Sequence, residues 1–355
     1  MTILDNPAQF RSLDPADMLG RIRELPWQCE RAWDAVSAFE LPGDYANPDG
    51  VVVLGMGGSA IGGDLACALA AGESPAPAAV CRQYTLPAWV GPRTAVIASS
   101  NSGNTEETLT AFEEAVARGA RVIALTTGGR LAARVKELGL PLLTFSYAAP
   151  PRAALGYSFI SQVGLFQKLG LLGDKRHDVA ESLRVMRQLQ PTLDSSVIQI
   201  ENPAKQLAAF LHDHFAVVYG AEHLEPVARR WRGQFAENSK SWAAWEELPE
   251  LDHNAVVGYE YPAALRDRIA VVALTSTSYH LRNQVRVPAT AGLLAQQDIP
   301  HQALQVPGES LLAQMLWAIH YGDFVSYYLA ILNGVDPTPV DAIVYLKEQL
   351  ARTSA

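Results

Sequence analysis

The stretch Val51-Val-Val-Leu-Gly-Met-Gly-Gly58-Ser59-Ala-Ile-Gly-Gly-Asp64 decides the fold of this chain. A short apolar run that ends in glycines is typical of a strand buried on both faces of a parallel sheet. The glycine-rich turn leads into a predicted helix, and a helix N-terminus offers unpaired N–H groups to an anion. The stretch therefore predicts an α/β fold with an anion site where this strand ends.

Further strands and helices alternate along the chain. Residues 94–98 and 121–125 are apolar runs, and a stripe of Leu109, Phe112 and Val116 between them predicts a helix. The second half repeats the plan with apolar runs at 215–219, 269–274 and 302–306. We expect a parallel sheet flanked by helices in each half and infer an internal duplication in which the first copy keeps the glycine-rich motif.

This plan predicts three parts. Residues 1–155 form an N-terminal subdomain with leading helices, residues 156–200 a helical connection, and residues 201–355 a C-terminal subdomain with a helical tail. In the last part, Trp231, Phe235, Trp242 and Trp245 are expected to share one face of a helix that carries Glu237.

Composition excludes several classes of protein. The 355 residues are 49% hydrophobic and carry a net charge of −9, so neither a disordered chain nor a nucleic-acid-binding protein is expected. No apolar run is long enough for a membrane span, and the first 14 residues lack the basic and apolar regions of a secretory signal. We therefore expect a cytoplasmic protein without membrane contact.

The three cysteines form no Cys-x-x-Cys pair, which argues against a thiolate metal site.

The glycine motif alone leaves two alternatives. Gly55, Gly57 and Ala60 fit the spacing of a dinucleotide-binding fingerprint, but residues 78–83 contain no carboxylate for the ribose hydroxyls. Arg82 in that segment could instead hold a 2′-phosphate. The other alternative is a glycine turn that only packs a helix on a strand.

A second motif favours a phosphate site over both. Ser99-Ser-Asn-Ser-Gly-Asn-Thr-Glu-Glu-Thr108 lies between a predicted strand and a predicted helix, so its hydroxyl groups reach the same edge of the sheet. Hydroxyl and backbone N–H donors suit the phosphate of a small ligand. Helix capping explains residues 104–107 but not Ser100 and Ser102.

Together the motifs resemble the sugar-isomerase (SIS) domain of the bifunctional phosphoglucose/phosphomannose isomerase family. The resemblance covers residues 14–347 and includes three further segments in order. These are Pro151-Arg152-Ala-Ala-Leu-Gly-Tyr157, Phe235-Ala-Glu237-Asn-Ser-Lys240 and Asp252-His253-Asn254. It implies two SIS subdomains, a phosphate site and no cofactor. The phosphate-site residues are Gly58, Ser59, Ser100, Ser102 and Thr105.

The resemblance also implies roles for four residues. Glu237 would move a proton between C1 and C2 of the sugar, and Arg152 would stabilise the enediolate. His253, lent by a neighbouring subunit of a homodimer, would open the sugar ring, with Lys347 as an aid. From the residues alone, a solvated glutamate beside Lys240, a surface arginine, a surface histidine and a helix-dipole lysine are the alternatives.

The predicted function is thus the interconversion of glucose 6-phosphate, and of mannose 6-phosphate, with fructose 6-phosphate through a cis-enediol. No metal is expected, since His212 and His214 lack a spaced third ligand. A sugar-phosphate-binding regulatory protein without catalysis is the alternative, and Glu237 distinguishes the two because a sensor needs no base. An amide-handling aminosugar enzyme is disfavoured, because no N-terminal cysteine glutaminase segment is found.

Overall fold

The computed structural model describes residues 2–352, which contain two parallel β-sheets flanked by helices. The first sheet has the order β2-β1-β3-β4-β5 and the second the order β7-β6-β8-β9. The strands are β1 Gly50–Leu54, β2 Ala78–Cys81, β3 Thr94–Ser100, β4 Arg121–Thr126, β5 Leu142–Thr144, β6 Phe215–Ala221, β7 Ala243–Leu248, β8 Ile269–Thr275 and β9 His301–Gln305. The predicted fold class is confirmed.

The α-helices occupy both faces of the sheets and the segment between them. They are α1 Pro7–Leu13, α2 Met18–Arg23, α3 Leu25–Ala38, α4 Gly57–Ala70, α5 Glu106–Ala117, α6 Gly129–Glu137, α7 Leu155–Lys168, α8 Arg176–Leu193, α9 Pro203–Leu211, α10 Glu225–Glu237, α11 Leu281–Gln296, α12 Leu311–Leu332 and α13 Asp341–Ala351. Short 3₁₀ helices include Pro151–Ala153 and Glu250–His253.

Strand β1 lies inside the first sheet, between β2 and β3, and its side chains are apolar on both faces. Val51 to Leu54 are each 0% exposed, and Val52 pairs with Ala79 of β2 on one side and Val96 of β3 on the other. The second sheet repeats this order, with β6 between β7 and β8. The first four strands of each half therefore share one arrangement, as the inferred duplication requires.

Helix α12 packs in the core against α8, α9 and α10. All but three of its 22 residues are buried, so the first part of the segment predicted as a helical tail, residues 309–355, belongs to the core. Helix α13, in contrast, has no buried residue. No helix of residues 2–352 has both the length and the apolar character to cross a membrane. The division of the chain at residues 155 and 200 stays a prediction.

The expected long helix around Glu237 is wrong in its second half. Helix α10 ends at Glu237, Lys240 adopts a left-handed backbone with φ of 56°, and strand β7 follows. Trp242 is 82% exposed before the strand, and Trp245 lies in β7. Trp231 and Phe235 lie on α10, but Trp242 and Trp245 lie in the turn and the strand that follow it. The sequence intervals between these four residues match the period of a helix, although only the first two share one.

Candidate functional site

The first glycine motif forms the turn between β1 and α4. Gly57, the first residue of α4, has a φ of 51°, a conformation that favours glycine. Ser59 follows in the first turn of α4 and is 7% exposed. Its Oγ accepts a hydrogen bond from the backbone N–H of Asn101 at 3.2 Å. The two motifs are thus in direct contact.

The second motif forms the loop between β3 and α5. The Oγ of Ser100 lies 2.9 Å from the Oγ1 of Thr105 and accepts the N–H of Gly103 at 3.1 Å. Ser102, which is exposed, accepts the N–H of Asn104 at 3.2 Å. Since β1 and β3 are neighbours, these hydroxyl groups and Ser59 gather at one edge of the sheet, as the sequence predicted. Contact with a phosphate stays a prediction.

Gly58 connects this edge of the sheet to the segment of residues 151–157, which contains Arg152. A Cβ at Gly58 would lie 2.9 Å from the carbonyl oxygen of Pro151 and 3.4 Å from the N of Arg152. No side chain fits between these backbones, so the N-terminus of α4 packs directly on the 3₁₀ helix Pro151–Ala153. Arg152 is therefore held beside the serine-rich loops.

Arg152 is 3% exposed and reaches across to the C-terminus of α10. Its Nη1 lies 3.4 Å from Oε2 of Glu237, whose side chain is 32% exposed. Its Nε donates to Oδ1 of Asn238 at 2.6 Å. The structure thus brings together a partly accessible carboxylate and a permanent cation, which have the chemistry of a base and of an oxyanion stabiliser.

The remaining donors of Arg152 hold the segment between α12 and α13. Nη2 donates to the carbonyl oxygens of Pro337 at 2.7 Å and Thr338 at 2.9 Å. Nζ of Lys240 donates to the carbonyl oxygens of Glu237 and Pro339, each at 2.6 Å. Burial lowers the pKa of the Arg152 guanidinium, and the Glu237 carboxylate opposes that effect. Burial, and then repulsion by Arg152, also lowers the pKa of Lys240.

His253 and Lys347 are not brought to this pair within the chain. Both are exposed, His253 at the end of a 3₁₀ helix and Lys347 on α13. Within residues 2–352 neither side chain makes a hydrogen bond or an ion pair. The assignment of both residues to the site stays a prediction. For His253, that prediction requires a second copy of the chain.

The described residues give the dinucleotide alternative no support. Arg82, the residue considered for a 2′-phosphate, forms an ion pair with Asp64 at the end of the glycine motif. Residues 2–352 also contain no group of three or more histidine, cysteine, aspartate or glutamate residues placed to hold a metal ion.

Sequence reasoning missed the polar residues that surround Arg152. Asn238 and Lys240 stand in the quoted motif but received no role, and the buried pair of Arg230 and Asp323 was not considered. Arg230 Nη2 donates to both carboxylate oxygens of Asp323, at 3.0 and 2.9 Å, and to the carbonyl oxygen of Arg152 at 3.2 Å. Asp323, the one acidic residue of the largely apolar α12, is the signal that could have indicated such a partner.

Comparison with known proteins agrees with the resemblance. The model of the bacterial phospho-glucose isomerase C-terminal SIS domain matches residues 200–350. A bifunctional phosphoglucose/phosphomannose isomerase of Caldicellulosiruptor bescii is 40% identical over 335 residues, which is 94% of this chain and 99% of that protein. One of Aquifex aeolicus with the same name is 35% identical over 304 residues, 85% of this chain and 91% of that protein.

A solved structure supports the fold. A hypothetical protein from Thermus thermophilus matches with a TM-score of 0.74 and 20% identity, over 95% of this chain and 90% of that chain. The sequence relatives are named as enzymes, which gives no support to the regulatory alternative. The sequence motifs and their arrangement at one sheet edge agree with the nearly full-length match to these relatives. The chain belongs to the family of bifunctional phosphoglucose/phosphomannose isomerases.

Proposed function

We propose that the protein interconverts glucose 6-phosphate and mannose 6-phosphate with fructose 6-phosphate through a cis-enediol. The observation that carries this proposal is the pairing of Glu237 and Arg152, 3.4 Å apart, beside the serine-rich edge of the first sheet. A base, a fixed cation and a phosphate-binding edge are the three elements that this reaction requires.

In the aldose-to-ketose direction, Glu237 takes the hydrogen of C2 as a proton, which exchanges in part with solvent, and delivers a proton to C1, while a proton moves from the 2-hydroxyl to O1. The Arg152 guanidinium stabilises the negative charge that develops on the oxygens of the intermediate. C2 is planar in the enediol, so the configuration that separates glucose from mannose is lost. One base can therefore serve both epimers.

The phosphate of the sugar is assigned to Gly58, Ser59, Ser100, Ser102 and Thr105. Hydroxyl and N–H donors that face a dianion form charge-assisted hydrogen bonds of about 1.5–3 kcal/mol each. These residues lie on the turns after two adjacent strands, so substrate would be held at the phosphate end by the first sheet and at the reacting end by Arg152 and Glu237.

We further propose that the working form is a homodimer in the cytoplasm. His253 is exposed and makes no polar contact within residues 2–352, which suits a side chain that acts in a second copy. In that role its imidazole moves the proton of the ring oxygen, and Lys347 assists. The site would be complete only in the assembled protein.

Product identification tests the proposal. The purified protein is incubated with fructose 6-phosphate, and the reverse reaction is assayed separately with each aldose, with and without a chelator. We expect both aldoses as products, kcat/KM values of similar order for the two epimers, and no effect of the chelator. Activity on one epimer only would contradict dual specificity, since a site that hydrogen-bonds one hydroxyl position can discriminate by roughly 10⁴-fold.

A further inference from the structure

We propose that Asn238 is a positioning residue that fixes the guanidinium of Arg152 relative to the carboxylate of Glu237. The inference rests on the proposed function, because it assigns a role within that same site. It concerns the residue that follows Glu237 directly in the chain, so the backbone that carries the carboxylate also carries the amide that orients its partner.

Asn238 links Arg152 to the core helix α12. Its side chain is 0% exposed, and its Oδ1 accepts from Arg152 Nε at 2.6 Å while its Nδ2 donates to Ser326 Oγ at 2.9 Å. Ser326 in turn donates to the carbonyl oxygen of Asp323 at 2.8 Å. These hydrogen bonds connect the guanidinium to the backbone of a buried helix. They therefore restrict the orientation of the guanidinium.

A second connection fixes the backbone of Arg152 to the same helix. Arg230 donates to the Arg152 carbonyl oxygen and to the Asp323 carboxylate, and Gln234 Nε2 also donates to Asp323 at 2.8 Å. Hydrogen bonds thus connect both the main chain and the guanidinium of Arg152 to α12. The main chain is held by Arg230, and the head group depends on Asn238.

An amide is the group that this place requires. Arg152 Nε needs an acceptor and Ser326 Oγ, whose own hydrogen goes to Asp323, needs a donor, so only a side chain with both fills the gap without a buried unsatisfied atom. The bond to Nε also sets the plane of the guanidinium, which decides where Nη1 points. Nη1 is the donor that faces Glu237.

The test compares Asn238→Ala with Asn333→Ala in the full-length protein. Asn333 is a matched control, because its Nδ2 also binds the segment after Glu237, at the carbonyl oxygen of Ser239 and at Ser241 Oγ, but makes no contact with Arg152. We expect Asn238→Ala to lower kcat by about 10²-fold with little change in KM, because reacting groups are misplaced while the phosphate edge is intact. Asn333→Ala should leave kcat nearly unchanged.

Asn238→Asp keeps the shape and the acceptor for Arg152, and it tests the proposal if the alanine variant does not fold. Because the acceptor for Arg152 Nε is kept, we expect Asn238→Asp to retain a kcat at least about tenfold above that of Asn238→Leu, which fills the space but has no acceptor. If Asn238 served stability alone, kcat would follow the stability of each variant and not the presence of the acceptor. Equal kcat in Asn238→Asp and Asn238→Leu, or equal kcat losses in the two alanine variants, would overturn the proposal.

An NMR measurement separates this proposal from the proposed function. A wild-type protein without isomerase activity would reject the function, whereas the Nε–H resonance of Arg152 reports its hydrogen bond whether or not the protein is active. We expect a shifted, slowly exchanging Nε–H signal in the wild type that is lost in Asn238→Ala, or in Asn238→Leu should the smaller residue prevent folding. A signal that is the same in the wild type and the variant would overturn the positioning role by itself.

Discussion

Arg152 and Glu237 meet 85 residues apart in sequence, with Nη1 3.4 Å from Oε2. Arg152 lies in the segment that follows the first sheet, and Glu237 is the last residue of a helix that packs on the second. The contact therefore exists only when the two halves of the chain are packed together. This arrangement places the pair beside the serine-rich loops of the first sheet, the edge to which we assign the phosphate in our proposal.

The phosphate assignment leads to a prediction about Ser102. Ser102→Ala removes an exposed hydroxyl from the loop after β3, so we expect a markedly raised KM for each sugar phosphate. The fold should be unchanged, because water can replace the hydroxyl as acceptor for the exposed N–H of Asn104. Steady-state kinetics measure the effect. Ser278→Ala is the matched control, since Ser278 occupies the corresponding loop after β8 of the second sheet. Equal KM values in the wild type and both variants would remove the loop from the phosphate site.

The proposed sharing of His253 predicts complementation between two inactive proteins. Glu237→Gln and His253→Ala chains, mixed under conditions of subunit exchange, should regain part of the wild-type activity, because a mixed dimer contains one site with both groups intact. A parallel mixture of Glu237→Gln chains with each other is the control. Verified exchange without recovered activity would mean that each protomer has a self-sufficient site.

Glu225 predicts a pH dependence of stability. Burial, followed by the nearby charges of Glu247 and Asp64, raises the pKa of Glu225 from 4.5 to about 7. Between these values the folded protein holds the proton more tightly than the unfolded chain does, so the free energy of unfolding falls as pH rises through this window. The side chain of Glu225→Gln does not titrate, so the variant should lack this decrease in the free energy of unfolding.

Urea unfolding at about pH 5 and about pH 8 checks this prediction. We expect the stabilisation by Glu225→Gln to be greater at the higher pH by about 1 kcal/mol, a value reduced for partial solvent screening. Glu40→Gln, at an exposed position, is the control. An equal effect of Glu225→Gln at both pH values would contradict the raised pKa.

The three inner strands of the first sheet, β1, β3 and β4, and the loops after β1 and β3 could be predicted because each motif is continuous in sequence. The run from Val51 to Asp64 contains the strand, the turn and the helix start together, and the same holds for residues 94–108. Local geometry then brings Ser59 and Ser100 to one edge, since parallel neighbours end on the same side.

The environment of Arg152 could not be predicted from local patterns. Its partners Glu237, Asn238 and Pro337 come from distant segments, and their meeting depends on how α10 and α12 pack. Only the family resemblance connected Arg152 with Glu237 beforehand. Strand β7 was missed for a related reason, since aromatic spacing continued past the end of α10 without a glycine or proline to mark the turn at Lys240.

The most direct test of the central claim follows the C2 hydrogen in heavy water. Wild-type protein and Glu237→Gln are each given fructose 6-phosphate in D₂O, and the aldose products are analysed for deuterium at C2. The glutamine variant keeps the size and the hydrogen bonding of the side chain but loses the proton acceptor. We expect deuterated aldose from the wild type and a rate lower by on the order of 10²–10⁴-fold in the variant, with substrate binding retained. Near-normal incorporation of deuterium by Glu237→Gln would contradict the role of Glu237 as the base.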